Sequence, residues 1–136
     1  MRRVLLAGMV IGLAVLAGGG SARAEGEKLD MPPGAYAEID HVAVDYETLR
    51  LAVACRLRDE QWHREVWPLL RTRAQEAVER AVRSGADREF ARGFMRGASA
   101  ARSNMAGERI GRDRAEACRD LQRIRAAVDW LDDLLR

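Results

Sequence analysis

From Ala35 to its last residue the chain holds one proline, Pro68, and few breakers means few places where a helix must stop. It has no Asn-Gly or Asp-Gly dipeptide to nucleate a hairpin and no sustained alternation of apolar and polar residues. Ala, Leu, Arg and Glu dominate, and all are strong helix formers. The expected fold is therefore all-α, a small four-helix bundle-like domain.

The ends of the helices are read from caps and periodicity. Val42, Tyr46, Leu49, Val53 and Leu57 recur at three- and four-residue steps, so the first helix is expected from about Asp40 to Leu57. Asp59 is the expected N-cap of the second helix, with Glu60 in its first turn. That helix carries Trp62, Val66, Leu69, Leu70, Ala74, Ala77, Val78 and Ala81, and Ser84-Gly85 ends it. Pro68 inside it should kink it or split off a short first segment.

Asp87 should cap the third helix, which opens on a tandem repeat. Phe90-Ala91-Arg92-Gly93 is followed directly by Phe94-Met95-Arg96-Gly97. A four-residue period sets Phe90 over Phe94 and Gly93 over Gly97 on a helix. Each glycine costs about 1 kcal/mol relative to alanine, so close approach of another helix is expected to offset it. Gly107 and Gly111 read as the brackets of a turn. Asp113 and Glu116 have capping-box spacing, so the fourth helix is expected from there. Its stripe is Leu121, Ile124, Val128, Leu131 and Leu135, widened by Ala127, Trp130 and Leu134.

The first 24 residues carry the expected address. Met1-Arg2-Arg3 is a basic start, Val4 to Ala17 is an uncharged apolar run, and Ala22-Arg23-Ala24 is a small-x-small cleavage site. The run is shorter than the ~20 residues that span a bilayer. Residues 1–24 are thus expected to be a secretory signal peptide, 25–39 a flexible leader containing Pro32, Pro33 and Gly34, and 40–136 the helical domain. Arg2, Arg3 and Arg23 leave with the signal, so 23 basic and 21 acidic side chains become 20 and 21, a net charge of −1. The basic excess belongs to the targeting segment, and nucleic acid is not an expected partner. Stable membrane insertion after cleavage is not expected either, since no second apolar stretch approaches membrane length.

In a periplasmic or secreted chain, exactly two cysteines imply one disulfide, Cys55–Cys118. An up-down-up-down bundle brings the end of its first helix beside the start of its fourth, where these cysteines are expected. No CxxC spacing supports a redox or metal pair.

Chemistry is sparse. His41, beside Asp40 and Asp45, and His63, near Glu60, have no i,i+4 histidine partner, so no metal ligand set is assigned. There is no GxSxG elbow, phosphate-cradling glycine loop or EF-hand loop, and no catalytic residue or cofactor is assigned. Trp62 and Trp67 project about 140° apart on a helix, so one of them is expected outside the core stripe. An exposed tryptophan beside Arg64 and Arg71 would be an interface anchor. Trp62, Trp67, Phe90, Gly93, Phe94 and Gly97 are the candidate interaction or groove residues. The leading expectation is an exported non-enzymatic interaction protein whose partner is another envelope protein. An adaptor, an inhibitor, an immunity factor and a stress or chaperone-type protein all fit that expectation. The alternative is a small-ligand or metal carrier.

Overall fold

The computed structural model describes residues 31–136. The expected signal peptide and the first six residues of the expected leader lie outside the described residues. The described residues form helices α1 (Pro33–Ala54), α2 (Glu60–Arg83), α3 (Arg88–Arg112), α4 (Arg114–Ala117) and α5 (Leu121–Asp132), followed by a 3-10 turn over Asp133–Leu135. There is no strand among them, and the fold is an all-α, bundle-like domain with one disulfide, as expected.

Helix α1 begins seven residues before the expected Asp40. Pro32 occupies its N-cap and Pro33 its first position, where the fixed φ of proline suits a helix and the missing N–H costs nothing. Residues 33–39 are therefore helix rather than leader, and Met31, Ala35 and Ile39 are already buried in the core. The helix stops at Ala54, short of Leu57. Arg56 adopts a left-handed φ of 59°, and the N–H groups of Arg56 and Leu57 return to the carbonyls of Val53 and Ala52. This is a Schellman cap with arginine where glycine is usual. The end of α2 repeats it with glycine: Gly85 has φ 107°, and the N–H groups of Gly85 and Ala86 return to Val82 and Ala81.

Helix α2 starts where Asp59 accepts the Trp62 N–H at 2.8 Å. It runs unbroken through Pro68, so the expected split does not occur. Helix α3 starts where Asp87 accepts the Phe90 N–H at 2.9 Å. It also runs on through Gly107 and Gly111, so these glycines do not bracket a turn. A Cβ at Gly107 would collide with the guanidinium of Arg50, which crosses the helix there to donate to the Ser103 carbonyl.

The expected fourth helix is broken in two. Asp113 caps it by accepting the Glu116 N–H, but α4 lasts one turn. The chain breaks at Cys118 and Arg119, and Asp120 caps α5 by accepting the Arg123 N–H. Ile124, Val128 and Leu131 of the expected stripe are buried, while Leu121 and Leu135 at its ends are exposed.

Helix α1 is the hub, packing against α2, α3 and α5. Ion pairs fix the directions. Asp40 meets Arg102 and Glu47 meets Arg109, so α1 and α3 run parallel. Glu38 meets Arg80 and Asp45 meets Arg73, so α1 and α2 run antiparallel. A hub must be buried on several sides, so the single apolar face expected for α1 is too narrow. Asp45 and Thr48 are buried along with Val42, Tyr46 and Leu49. The Cys55–Cys118 disulfide joins the C-cap of α1 to the C-cap of α4 and closes a separation of 63 residues.

Candidate functional site

Side chains of α1, α2 and α3 line a cleft of about 650 Å³. Its apolar lining includes Ala74, Val78 and Met95, which are buried. Tyr46 of α1 contributes its ring, and burial holds its hydroxyl above the usual pKa of 10, with Arg71 opposing that rise and Asp45 adding to it. The cleft also presents Trp67 and Arg71 from α2, and Arg92 and Arg96 from α3. Trp67 is 41% exposed, stands edge-on to Tyr46 at 5.4 Å between ring centres, and stacks on His63 at 5.9 Å. Its ring is thus propped by two neighbouring rings while still partly exposed.

The charges of this cleft are unbalanced. Glu79 is its one carboxylate, and Arg88 already holds it through two hydrogen bonds, keeping it below the usual carboxylate range. Among the described residues Arg92 pairs only with Glu89, one turn back on its own helix, at 3.4 Å. Arg71 and Arg96 have no carboxylate within 4.0 Å among the described residues. Several arginines elsewhere do have such partners across helices, Arg80 with Glu38, Arg102 with Asp40 and Arg109 with Glu47, and Arg58 in the loop before α2 has Asp132, while Arg50 crosses to the Ser103 carbonyl instead.

A second polar cluster lies on the other side of α2. Asp45 is buried, with Arg73 Nε at 3.5 Å from Oδ2, and neither of these atoms has a hydrogen-bond partner among the described residues. Burial raises the Asp45 carboxyl above its usual range, against the opposing pull of Arg73, then His41 and the Trp130 indole. The Arg73 guanidinium packs 4.8 Å from the centre of the Trp130 ring. Side chains of α1, α2 and α5 thus meet here, and Leu69, Trp130 and Leu134 line a shallow depression above them.

The six candidate residues do not form one site. Trp62 is 7% exposed and donates its indole N–H to Asp132 at 2.6 Å, which makes it a core anchor. Arg58 grips the same carboxylate and, with Trp62, holds it below its usual range. Phe90 and Phe94 stack on each other at 6.2 Å and meet the edge of Tyr36, sealing the start of α1. Gly93 and Gly97 are exposed, and a Cβ on either would meet nothing within 4 Å. The close helix approach expected there is absent; the crowded glycine is Gly107. Trp67 alone of the six lines the cleft.

The arginines of the tandem repeat, rather than its phenylalanines and glycines, reach the cleft. The signal for them was present in the four-residue period, which stacks Arg92 and Arg96 on one face. Asp40, Asp45 and His41 are not assembled into a ligand set, since Asp40 pairs with Arg102 and Asp45 with Arg73. No group of three metal-ligating side chains occurs among the described residues, and no described helix is long and apolar enough to cross a membrane. No protein-family model, curated protein or solved structure matches the chain.

Proposed function

We propose that this chain is an exported, non-enzymatic interaction protein of the bacterial-type envelope, and that the cleft between α2 and α3 is where it binds another envelope protein. One observation carries this reading. An exposed, propped tryptophan stands beside three arginines, two of them without a carboxylate partner, over an apolar floor. Trp and Arg over a desolvated pocket is the composition of a binding hot spot. The disulfide suits an oxidising compartment and supports the export reading.

Affinity capture from envelope extract tests it, with wild-type protein and Trp67→Ala side by side. A partner recovered by the wild type and lost with Trp67→Ala is the expected result. Identical recoveries, or none from either under several conditions, would count decisively against it.

The cleft volume also falls within the range of small-molecule sites, about 300–1,000 Å³. That favours a small-ligand carrier as the second reading. Native mass spectrometry after mild purification separates the two, because only the carrier retains an added small-molecule mass.

A further inference from the structure

We infer that the cleft receives an acidic amphipathic helix of the partner, an inference that rests on the binding reading above. The argument starts from spacing. Trp67 and Arg71 are four residues apart on α2, and Arg92 and Arg96 are four apart on α3. Four residues of helix rise about 6 Å, so both walls repeat at one helical turn. A third helix laid between them repeats its own side chains at the same interval. Glutamates at i and i+4 on that helix come into register with Arg92 and Arg96, while a second acidic position faces Arg71.

Charge complementarity selects the sign. The cleft offers Arg71, Arg92 and Arg96, and its Glu79 is already neutralised by Arg88. An incoming carboxylate therefore meets arginines that do not have to break an interhelical pair first. Each such contact is a charge-assisted hydrogen bond, and Arg can make it bidentate. The apolar floor selects the remainder of the ligand. Val78 and Met95 accept an apolar side chain, and methionine adapts to the shape it meets. An apolar stripe flanked by glutamates satisfies floor and walls together, in the helix-in-groove mode of recognition.

The probe is a synthetic amphipathic helical peptide with a Leu/Phe stripe flanked by glutamates at i and i+4, titrated into the disulfide-intact protein. Its glutamine counterpart, a proline-interrupted version and phosphatidylglycerol vesicles are titrated in parallel. The expected result is saturable binding that weakens with salt. The glutamine peptide, the proline peptide and Arg71→Ala/Arg96→Ala protein should each weaken it by about tenfold or more. Circular dichroism checks that the double variant is folded; in it, neither replaced side chain leaves an internal ion pair broken. Equal binding of the glutamine peptide, equal binding of the proline peptide, or indifference to the double variant overturns the proposal. So does arginine-dependent binding to the vesicles with none to the peptide, which assigns the cleft to an anionic lipid surface. If capture from envelope extract depends on Trp67 but the acidic peptide fails, the binding reading stands and the acidic-helix assignment falls. If the peptide binds as expected and no Trp67-dependent capture is found, the cleft's preference for an acidic helix stands, but the envelope-partner reading falls and with it the assignment of that helix to such a partner.

Discussion

Asp45 is the one charged residue buried among the described residues. A buried carboxylate is tolerated when paired, and its partner Arg73 sits at ion-pair distance without completing a hydrogen bond. Breaking such a pair from one side leaves a buried charge alone, whereas replacing both sides removes the problem. Arg73→Met should lose about 3 kcal/mol at neutral pH, while Asp45→Leu/Arg73→Met should be near wild type or more stable by about 1–2 kcal/mol, measured by urea unfolding. The pH dependence has a definite sign. The Asp45 carboxyl is raised in the native state, so that state holds its proton more tightly than the unfolded chain. Removing Arg73 raises it further. The deficit of Arg73→Met should therefore shrink as pH falls, which unfolding curves taken stepwise from neutral pH down through the acid range would detect. Arg56 is strained differently, since its left-handed backbone penalises any Cβ. Arg56→Gly should gain about 0.5–1 kcal/mol in the same assay, the steric relief exceeding the extra freedom of the unfolded chain.

At the scale of the element, the informative contrast is among glycines on one helix. Gly93 and Gly97 face open space and Gly107 faces Arg50. Gly93→Ala and Gly97→Ala should each stabilise by about 0.5–1 kcal/mol in thermal or urea unfolding, because the helix gains propensity and nothing is displaced. Gly107→Ala should gain less, since its Cβ pushes the Arg50 guanidinium off the Ser103 carbonyl. These residues also explain what was legible in the sequence. The Asp59, Asp87 and Asp113 caps are local chemistry and could be read directly, as could the Gly85 stop. The end of α1 could not, because Arg56 does the work of a glycine without being one. Gly107 looked like a breaker because its reason for being glycine is a side chain 57 positions away in sequence. Asp120 carries the signal for the break between α4 and α5: it is a fourth capping aspartate, inside the stretch whose apolar stripe predicts one continuous helix. The sequence offers either Trp62 or Trp67 as an exposed tryptophan beside Arg64 and Arg71, and of these Trp67 and Arg71 line the cleft. The four-residue period puts Arg92 and Arg96 on one face of α3 but does not say which helix that face meets, because the neighbours of a cleft are decided by the hub they share.

For the whole molecule, the disulfide and the hub act on different segments. Helix α1 gathers α2, α3 and α5 through side-chain contacts, while Cys55–Cys118 ties only its far end to α4. Cys55→Ala/Cys118→Ala should lose about 4 kcal/mol through the freed loop entropy, read as the gap between oxidised wild type and variant in urea unfolding. That loss would be a large share of an ordinary domain's ~5–15 kcal/mol, so the reduced chain should be only marginally folded.

The same bond makes the chain, covalently, a ring with two tails. The ring runs from Cys55 to Cys118 and contains all of α2 and α3, so two walls of the cleft belong to one closed circuit. Helix α1 and helix α5 are the tails. A protease that cuts at the Ser84-Gly85 turn would open the circuit without releasing a piece, and the cut would appear only after reduction. A cut at Arg119 would set α5 free at once. The walls that carry Trp67, Arg71, Arg92 and Arg96 thus stay on one molecule after a single nick between them, which is a form of durability that no stability measurement would register.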